Sequence, residues 1–233
     1  MESLVRVNLG SMPVDHALAA IIDHTCLRPE AVPGDIDRLC HEARAFRFRT
    51  VCVQPVFVAH AARALTGSGV GVAAVVAFPH GANTTETKLF EARRALDDGA
   101  TELDVVANLG WIRAGEVARL TAETASLVGA AGTVPLKVIL ETALFDEAMN
   151  TAAAQAVLAG RPAFLKTSTG FGPGGATVQA VALLKHLARG AAQVKASGGI
   201  RTRAQALALR EAGADRLGAS ASIALVSEAD GHS

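Results

Sequence analysis

Eight short apolar runs alternate with longer, mostly alanine-rich stretches along this chain. The short runs have the length and composition of β-strands, and the longer stretches have those of helices. Such βα repeats build a parallel sheet, because the helix of each unit returns the chain to the start of the next strand. The predicted strands are 21–24, 50–54, 70–77, 102–106, 136–141, 163–167, 193–196 and 216–218.

The helices are predicted from capping residues and from the composition between the strands. Asn83 and Glu86 have capping-box spacing, as do Thr202 and Gln205, and Asp146 is a suitable N-cap. A short helix over 13–20 leads the chain, and the other predicted helices are 35–46, 55–65, 83–97, 114–128, 146–160, 176–188, 202–212 and 221–228. Without linkers between the units, the sequence predicts one (β/α)8 TIM barrel over residues 1–233. The alternative, an open doubly wound sheet, is disfavoured because no G-x-G-x-x-G pattern follows the first strand.

The composition argues against several classes of function. The formal net charge is zero, so we expect no binding to nucleic acid or to an acidic membrane surface. The longest apolar run, about residues 70–78, is too short to span a bilayer, and the N-terminal residues lack the apolar region of a signal peptide. We therefore expect a cytoplasmic protein. The three cysteines fit neither a disulfide framework nor a zinc pattern, so no metal and no cofactor are predicted.

Charged residues occupy positions in the predicted strands that should face the inside of the barrel. Side chains alternate in direction along a strand, and in these strands one set is purely apolar and should face the helices. The other set includes Asp104, Lys137, Glu141, Lys166 and Lys195. A barrel interior is normally filled with Val, Ile and Leu. The charges form either a satisfied structural network or a reactive site, and clustered groups of this kind favour the site.

Lysine is the informative member of this set. Only five of the 22 basic residues are lysines, and three of the five lie in predicted strands. Lysine can lose its proton and attack a carbonyl, which arginine cannot do. To react near neutral pH its pKa must fall by about three units, or about 4 kcal/mol. Lys166, on the strand between those of Lys137 and Lys195, should feel both ammonium groups, and Asp104 can relay protons. The pattern predicts Schiff-base chemistry on an aldehyde or ketone.

Glycine and hydroxyl residues follow the last three strands. Thr169 and Gly170 come after the sixth strand, Gly198 and Gly199 after the seventh, and Ser220 after the eighth. In barrels of this kind the loops after strands seven and eight often bind a phosphate group. A phosphorylated substrate is therefore predicted.

Together these motifs resemble those of the deoxyribose-phosphate aldolases, a family of class I aldolases in deoxynucleoside breakdown. The similarity runs in order from about residue 20 to residue 226, and the lysine-containing motifs are the most specific. The matching segments are IDHT (22–25), VCVQP (51–55), FPHGANTTE (78–86), ELDVVAN (102–108), LKVILET (136–142), KTSTGF (166–171), KASGGIRT (195–202) and RLGAS (216–220).

The resemblance implies reversible cleavage of 2-deoxy-D-ribose 5-phosphate to acetaldehyde and D-glyceraldehyde 3-phosphate, without a metal, in a barrel that forms a homodimer. It implies that Lys166 forms the Schiff base and that Lys195 lowers the pKa of Lys166. Asp104 would transfer protons, and Lys137 would belong to the surrounding charge network. The residues expected to bind the substrate or its phosphate are Asp23, Thr25, Phe78, Thr169, Gly170, Gly198, Gly199 and Ser220.

The chain also departs from the family pattern. Cys26 and Arg28 stand where Leu and Lys are more common, and Gln54 stands where Asn is usual. Ala221 and its neighbours change the last loop, which affects the expected phosphate affinity. Some members end in a catalytically helpful tyrosine, and this chain contains no tyrosine.

Two other functions remain open from the residues. A lysine-dependent aldolase acting on a keto acid or ketose phosphate would need a basic residue for the substrate carboxylate, and the sequence does not place one near Lys166. A sugar-phosphate binding protein without catalysis is disfavoured by the presence of Asp104, Lys166 and Lys195 together. Lys88 and Lys185 fall in predicted helices and are expected to be solvated.

Overall fold

The strands close into a barrel. The structure is a computed structural model that describes residues 14–227. Its eight strands pair in parallel and in chain order, with the first strand beside the eighth. They are β1 Ile22–Cys26, β2 Thr50–Val53, β3 Gly71–Val76, β4 Glu102–Val106, β5 Leu136–Ile139, β6 Phe164–Lys166, β7 Gln193–Ser197 and β8 Arg216–Ala219.

Helices surround the barrel, and a short helix precedes β1. They are α1 His16–Ala19, α2 Pro33–Phe46, α3 Val58–Ala64, α4 Thr85–Asp97, α5 Leu109–Ala114, α6 Val117–Ala131, α7 Glu147–Ala159, α8 Val178–Ala188, α9 Arg203–Glu211 and α10 Ser222–Val226. The predicted barrel and its leading helix are confirmed, whereas the predicted domain limits, residues 1 and 233, lie outside the described residues. None of the helices within 14–227 has the length and apolar character needed to cross a membrane.

The main apolar core lies between the strands and the helices. The outward-facing strand residues, such as Leu103, Val138, Leu165 and Val194, are buried in one cluster with apolar residues of the helices. Burial of this surface is the main stabilising contribution to such a fold. The predicted division of the strand residues into an apolar outer set and a charged inner set is confirmed for these strands, except at Glu141.

Local hydrogen bonds explain where the helices begin and end. Asp146 and Thr202 accept backbone hydrogen bonds at the starts of α7 and α9, as predicted. At α4 the cap is Thr84 rather than Asn83, because the Thr84 side chain accepts from the backbone of the third residue beyond it. The predicted helix over 114–128 corresponds to α6, and a short helix that was not predicted, α5, precedes it; Asn108 caps α5, and Gly115, at φ +69°, ends it.

The end of β5 differs from the prediction. The backbone N–H groups of Leu140 and Thr142 donate to the carbonyls of Lys166 and Thr167, which are consecutive residues. Glu141 is therefore an extra residue opposite β6, a β-bulge, and its φ of +52° is left-handed. The bulge breaks the alternation, so the prediction that Glu141 shares the inward face with Lys137 is wrong.

The two helical lysines have different surroundings. The side chain of Lys88 is fully buried, and its Nζ lies 2.7 Å from Glu123 Oε1 and 2.9 Å from the carbonyl oxygen of Val106. The prediction of a solvated Lys88 is wrong because its face of α4 packs against α6 and the end of β4. Lys185 is half-exposed and pairs with Asp215 at 2.7 Å.

Candidate active site

A single carboxylate in the middle of β4 brings the predicted catalytic residues together. Asp104 is fully buried. Its Oδ1 lies 2.7 Å from Lys137 Nζ, and its Oδ2 lies 2.6 Å from Lys166 Nζ and 2.7 Å from Lys195 Nζ. The inward-facing positions predicted from strand alternation therefore converge on one point inside the barrel.

The strand register orders the three lysines differently from the prediction. Lys166 on β6 lies beside Lys195 on β7 and beside Ile139 on β5. Lys137 lies two residues earlier on β5, beside Asp104 on one side and Phe164 on the other. Lys166 thus has one lysine, Lys195, in register beside it. Lys137 lies one layer lower and contacts the same carboxylate, Asp104, as Lys166 does.

Three more charged residues join the cluster from below. Asp23 accepts a hydrogen bond from Lys195 and one from Arg216 at 2.6 Å. Arg216 also contacts Glu102 Oε2 at 3.0 Å, and Lys137 contacts the same oxygen at 2.6 Å. Glu102 and Arg216 were not among the predicted site residues. The signal for Glu102 was present in the sequence, since it lies two residues before Asp104 on the same face of β4.

The charges in this cluster do not balance when all are ionised. Three carboxylates face four cationic side chains, so one positive charge is left over. An uncompensated charge in a protein interior is costly, and a buried group normally neutralises instead. Arginine stays charged in proteins, so the proton must come from a lysine. The cluster members are Asp23, Glu102, Asp104, Lys137, Lys166, Lys195 and Arg216.

The surroundings of the three lysines shift their pKa values in different directions. Burial lowers the pKa of Lys166, and the Lys195 ammonium lowers it further, while Asp104 only partly opposes them. Burial also acts on Lys195, but Asp104 and Asp23 outweigh it and raise the pKa of Lys195. The pKa of Lys137 is raised, chiefly by Asp104 against the effect of burial. Lys166 is therefore the lysine of the cluster whose ammonium form is least favoured, whereas the ammonium forms of Lys137 and Lys195 are favoured.

The surroundings of Asp104 and Asp23 favour their ionised forms. Burial raises the pKa of Asp104, but Lys137, Lys166 and Lys195 outweigh it and hold that pKa well below the usual value. Asp23 behaves in the same way, because Lys195 leads the cations that hold its pKa low. The carboxylate of Asp104 is thus within hydrogen-bond distance of all three lysine amines.

A cavity of about 320 Å³ lies at the carboxyl ends of the strands, above this cluster. Its lining contains Arg28, Lys166, Lys195 and Arg201, and none of the described residues that line it is acidic. Such a lining favours an anionic ligand. Gly218 makes room for the lysine, because a Cβ at that position would lie 3.0 Å from Lys195 Cε.

The predicted phosphate-binding loops meet at this cavity. Gly170, Gly198 and Gly199 all have positive φ, at +86°, +89° and +74°, where other residues are strained. A Cβ on Gly198 would also lie 3.1 Å from Gly175 Cα. The predicted residues that line the cavity besides the lysines are Thr25, Thr169, Gly170, Gly198, Gly199 and Ser220.

Two predicted substrate residues lie elsewhere. Asp23 is fully buried within the charge cluster and does not line the cavity. Phe78 packs edge-on against Phe171, with ring centroids 5.2 Å apart, beside a second hollow next to the cavity. Gln54 donates to the Leu27 carbonyl at 3.0 Å. Within residues 14–227, no three His, Cys, Asp or Glu side chains are arranged to hold a metal ion.

The barrel and its buried Lys166, whose pKa is lowered, define the class of protein. They describe a (β/α)8 enzyme that uses a buried amine on a carbonyl substrate. Residues 17–226 match the model of the DeoC/LacD family of aldolases, and the chain belongs to that family. The family predicted from the sequence motifs is confirmed.

Relatives named deoxyribose-phosphate aldolase match most of the chain. A deoxyribose-phosphate aldolase from Desulfitobacterium hafniense is 47% identical over 90% of this chain and 97% of its own length. One from Thermosynechococcus vestitus is 50% identical over 90% of this chain and 95% of its own. The solved tetrameric deoxyribose phosphate aldolase from Aeropyrum pernix is 34% identical and superposes with a TM-score of 0.84, covering 90% of this chain and 89% of that one.

Proposed function

We propose that the chain catalyses the reversible cleavage of 2-deoxy-D-ribose 5-phosphate to acetaldehyde and D-glyceraldehyde 3-phosphate through a Schiff base on Lys166. The observation that carries this proposal is the cluster of four cations and three carboxylates below a cavity with a cationic lining. The cluster supports a neutral amine, and the lining favours a phosphorylated substrate. The names of the relatives supply the particular sugar phosphate.

The reaction begins with the neutral amine of Lys166. Its lone pair attacks the C1 aldehyde of the open-chain sugar, the Lys195 ammonium supplies the one proton that the step consumes, and water leaves to give a protonated imine. The imine carries the positive charge that the neutral Lys166 lacked. Asp104 Oδ2, at 2.6 Å from Lys166 Nζ, is placed to stabilise that charge. Because that proton comes from Lys195, the number of positive charges in the cluster is the same before and after imine formation.

Cleavage then transfers electrons into the imine. The C3 hydroxyl loses its proton, the C2–C3 bond breaks, and the bonding pair moves towards the imine nitrogen to form an enamine. The products of this step are free D-glyceraldehyde 3-phosphate and the enamine of acetaldehyde on Lys166. Protonation of C2 and hydrolysis release acetaldehyde and restore the amine.

Lys195 and Asp104 supply the proton transfers in this proposal. Lys195 enters the reaction as an ammonium group in register beside Lys166, and it shares Oδ2 of Asp104 with Lys166. A proton can therefore pass between Lys195 and the reacting atoms, with Asp104 or a water as relay. Lys137 holds the other oxygen of Asp104 at 2.7 Å and fixes the carboxylate in place.

The phosphate group is assigned to the glycine-rich end of the cavity. Within residues 14–227 the backbone N–H groups of Gly170 and Gly199 have no protein acceptor, and both residues line the cavity together with Gly198. Unpaired N–H groups in loops of this type bind phosphate oxygens. Ser220 can add its hydroxyl, and Arg28 and Arg201 provide positive charge at the same cavity.

The test measures both products. Purified protein is incubated with 2-deoxy-D-ribose 5-phosphate, and acetaldehyde and D-glyceraldehyde 3-phosphate are assayed separately. We expect equal amounts of both with the native chain and with Lys185→Met, a change at a half-exposed lysine outside the cavity. Lys166→Met should abolish both products. Cleavage of a 2-keto-3-deoxy acid phosphate in place of the sugar phosphate would overturn the substrate assignment and favour a keto-acid aldolase.

Assembly and location stay predictions. The family resemblance implies a homodimer, and the sequence predicts a location in the cytoplasm, whereas the relative from Aeropyrum pernix is tetrameric. Light scattering on the purified chain measures the number of subunits directly, and a mass of two chains is the expected result.

A further inference from the structure

Glu141 is a buried carboxylate that the proposed chemistry does not use. It is 2% exposed and lies at the carboxyl end of β5, where it lines the second hollow next to the active-site cavity. Its backbone is left-handed at φ +52°, although it is not a glycine. Left-handed residues of this kind persist where the surrounding contacts hold them, and they cluster at functional sites. β-Bulges next to active sites similarly redirect a side chain.

The redirected side chain holds the loop that follows Lys166. The backbone N–H of Thr169 donates to Glu141 Oε2 at 3.2 Å, and the Thr169 hydroxyl donates to the same oxygen. Thr169 Oγ1 then accepts from the backbone N–H of Phe171 at 3.0 Å. The carboxylate also packs on Gly172, where a Cβ would lie 3.0 Å from Glu141 Cδ. One side chain therefore fixes residues 169–172, which we name the clamp loop.

The pattern of hydrogen bonds in the clamp loop is selective. Glu141 and Thr169 satisfy the N–H groups of Thr169 and Phe171. The N–H between them, that of Gly170, has no acceptor within residues 14–227, and Gly170 lines the cavity. Glu141 thus ties down the two flanking N–H groups and leaves the middle one for a ligand. A bound anion would find this donor already oriented.

We propose that Glu141 is a positioning residue for the phosphate group of the substrate, acting through Thr169 on the N–H of Gly170. Glu141 itself touches neither the phosphate nor the reacting carbons. Glu141 contacts the clamp loop through hydrogen bonds from Thr169. Within residues 14–227 it forms no ion pair with a lysine, so it does not belong to the cluster around Asp104. This inference rests on the proposed function for the identity of the phosphorylated substrate.

The test separates phosphate binding from imine chemistry. The variant Glu141→Gln keeps the size of the side chain and removes its charge. Its KM for 2-deoxy-D-ribose 5-phosphate should rise about tenfold or more, because a hydrogen bond to a charged group contributes an effect of that size to affinity. Its kcat/KM for unphosphorylated 2-deoxy-D-ribose should remain near the native value. The matched control is Glu147→Gln, the same change at an exposed residue of α7, which should leave KM and kcat/KM for both sugars unchanged.

A second variant guards against loss of folding. Glu141→Gly adopts the left-handed backbone without steric cost and removes the carboxylate, so it should fold and show the same selective rise in KM. An equal loss on both sugars would overturn the proposal, since it would place Glu141 in the chemistry or in general stability. Unchanged KM in both variants would overturn it as well.

A direct binding measurement keeps the inference independent of the reaction. Inorganic phosphate is titrated into the native protein, the Glu141→Gln variant and the Glu147→Gln control, and its dissociation constant is obtained by calorimetry. We expect about tenfold weaker binding in Glu141→Gln alone. If the native chain cleaves neither sugar yet shows this difference, the proposed function fails while the role of Glu141 stands. Equal affinity in all three proteins would reject the role of Glu141.

Discussion

Replacing Lys195 by methionine tests how the charge cluster prepares Lys166. Methionine keeps most of the volume of the lysine stem and removes its ammonium group. Lys195 lies in register beside Lys166 and contacts the same carboxylate. Without the charge of Lys195, the ammonium form of Lys166 is repelled less, and Asp104 has one cation fewer to balance its negative charge. The pKa of Lys166 should therefore rise.

The geometry of the shared oxygen gives the size of this change. The Nζ atoms of Lys166 and Lys195 lie 2.6 and 2.7 Å from Oδ2 of Asp104. They are therefore no more than about 5.3 Å apart, and at an effective dielectric constant of about 20 their repulsion is about 3 kcal/mol. Since about 1.4 kcal/mol corresponds to one pKa unit, the pKa of Lys166 should rise by about two units or more.

The assay follows imine formation without requiring turnover. Each protein is incubated with acetaldehyde and borohydride over a range of pH, and the reduced adduct on Lys166 is quantified by mass spectrometry. The midpoint of the pH dependence should move up by about two units in Lys195→Met, which lowers the rate at neutral pH about a hundredfold. Lys185→Met is the matched control and should keep the native midpoint, because Lys185 lies outside the cavity.

The result can contradict the reasoning in two ways. An unchanged midpoint in Lys195→Met would mean that Lys195 does not lower the pKa of Lys166. A midpoint that moves by the same amount in Lys185→Met would mean that the shift reflects a general effect of charge on the protein. Turnover of the sugar phosphate should also be largely lost in Lys195→Met, and near-normal turnover would reject its part in proton transfer.

Two further predictions concern stability. Lys88→Met should lower the free energy of unfolding, measured in urea, by about 3–5 kcal/mol, because it leaves the buried Glu123 without its partner. Adding Glu123→Leu should recover most of that loss. An equal or larger loss in the double variant would contradict this expectation. The depressed pKa values of Asp23 and Asp104 mean that the unfolded chain binds more protons than the folded chain below about pH 4. Their stabilising contribution is therefore present above that pH and lost as the pH falls further, and a stability that is constant from pH 5 down to pH 2 would argue against it.

Strand alternation was sufficient to predict the centre of the site. Asp104, Lys137, Lys166 and Lys195 lie in regular strands, so the two-residue period places them inside the barrel. The alternation does not hold at Glu141, because Glu141 is the extra residue of a β-bulge and its side chain leaves the inward face of β5. A bulge depends on pairing with the neighbouring strand, and the sequence of β5 alone carries no signal for it.

Long-range pairing explains the other differences. Lys88 looked solvated because its helix is polar, yet its partner Glu123 lies 35 residues further along the chain. Arg216 meets Glu102 across the barrel at a separation of 114 residues. Contacts of this kind depend on the closure of the sheet. The motif residues could therefore be predicted from the sequence. The number of positive and negative charges in the cluster could be counted only once the structure showed that Glu102 and Arg216 belong to it.

The proposed chemistry requires that the cluster holds one cation more than its carboxylates balance and that Lys166 is the lysine that loses its charge. The chain has only five lysines, so labelling lysine with ¹⁵N gives five side-chain signals whose pH dependence can be followed by NMR. Lys166 should titrate below the ordinary value of 10.5, while Lys137 and Lys195 should remain protonated above it. Assignment by the single Lys→Met variants identifies each signal. A Lys166 signal that titrates at or above 10.5, or a different lysine of the cluster that titrates first, would contradict the account.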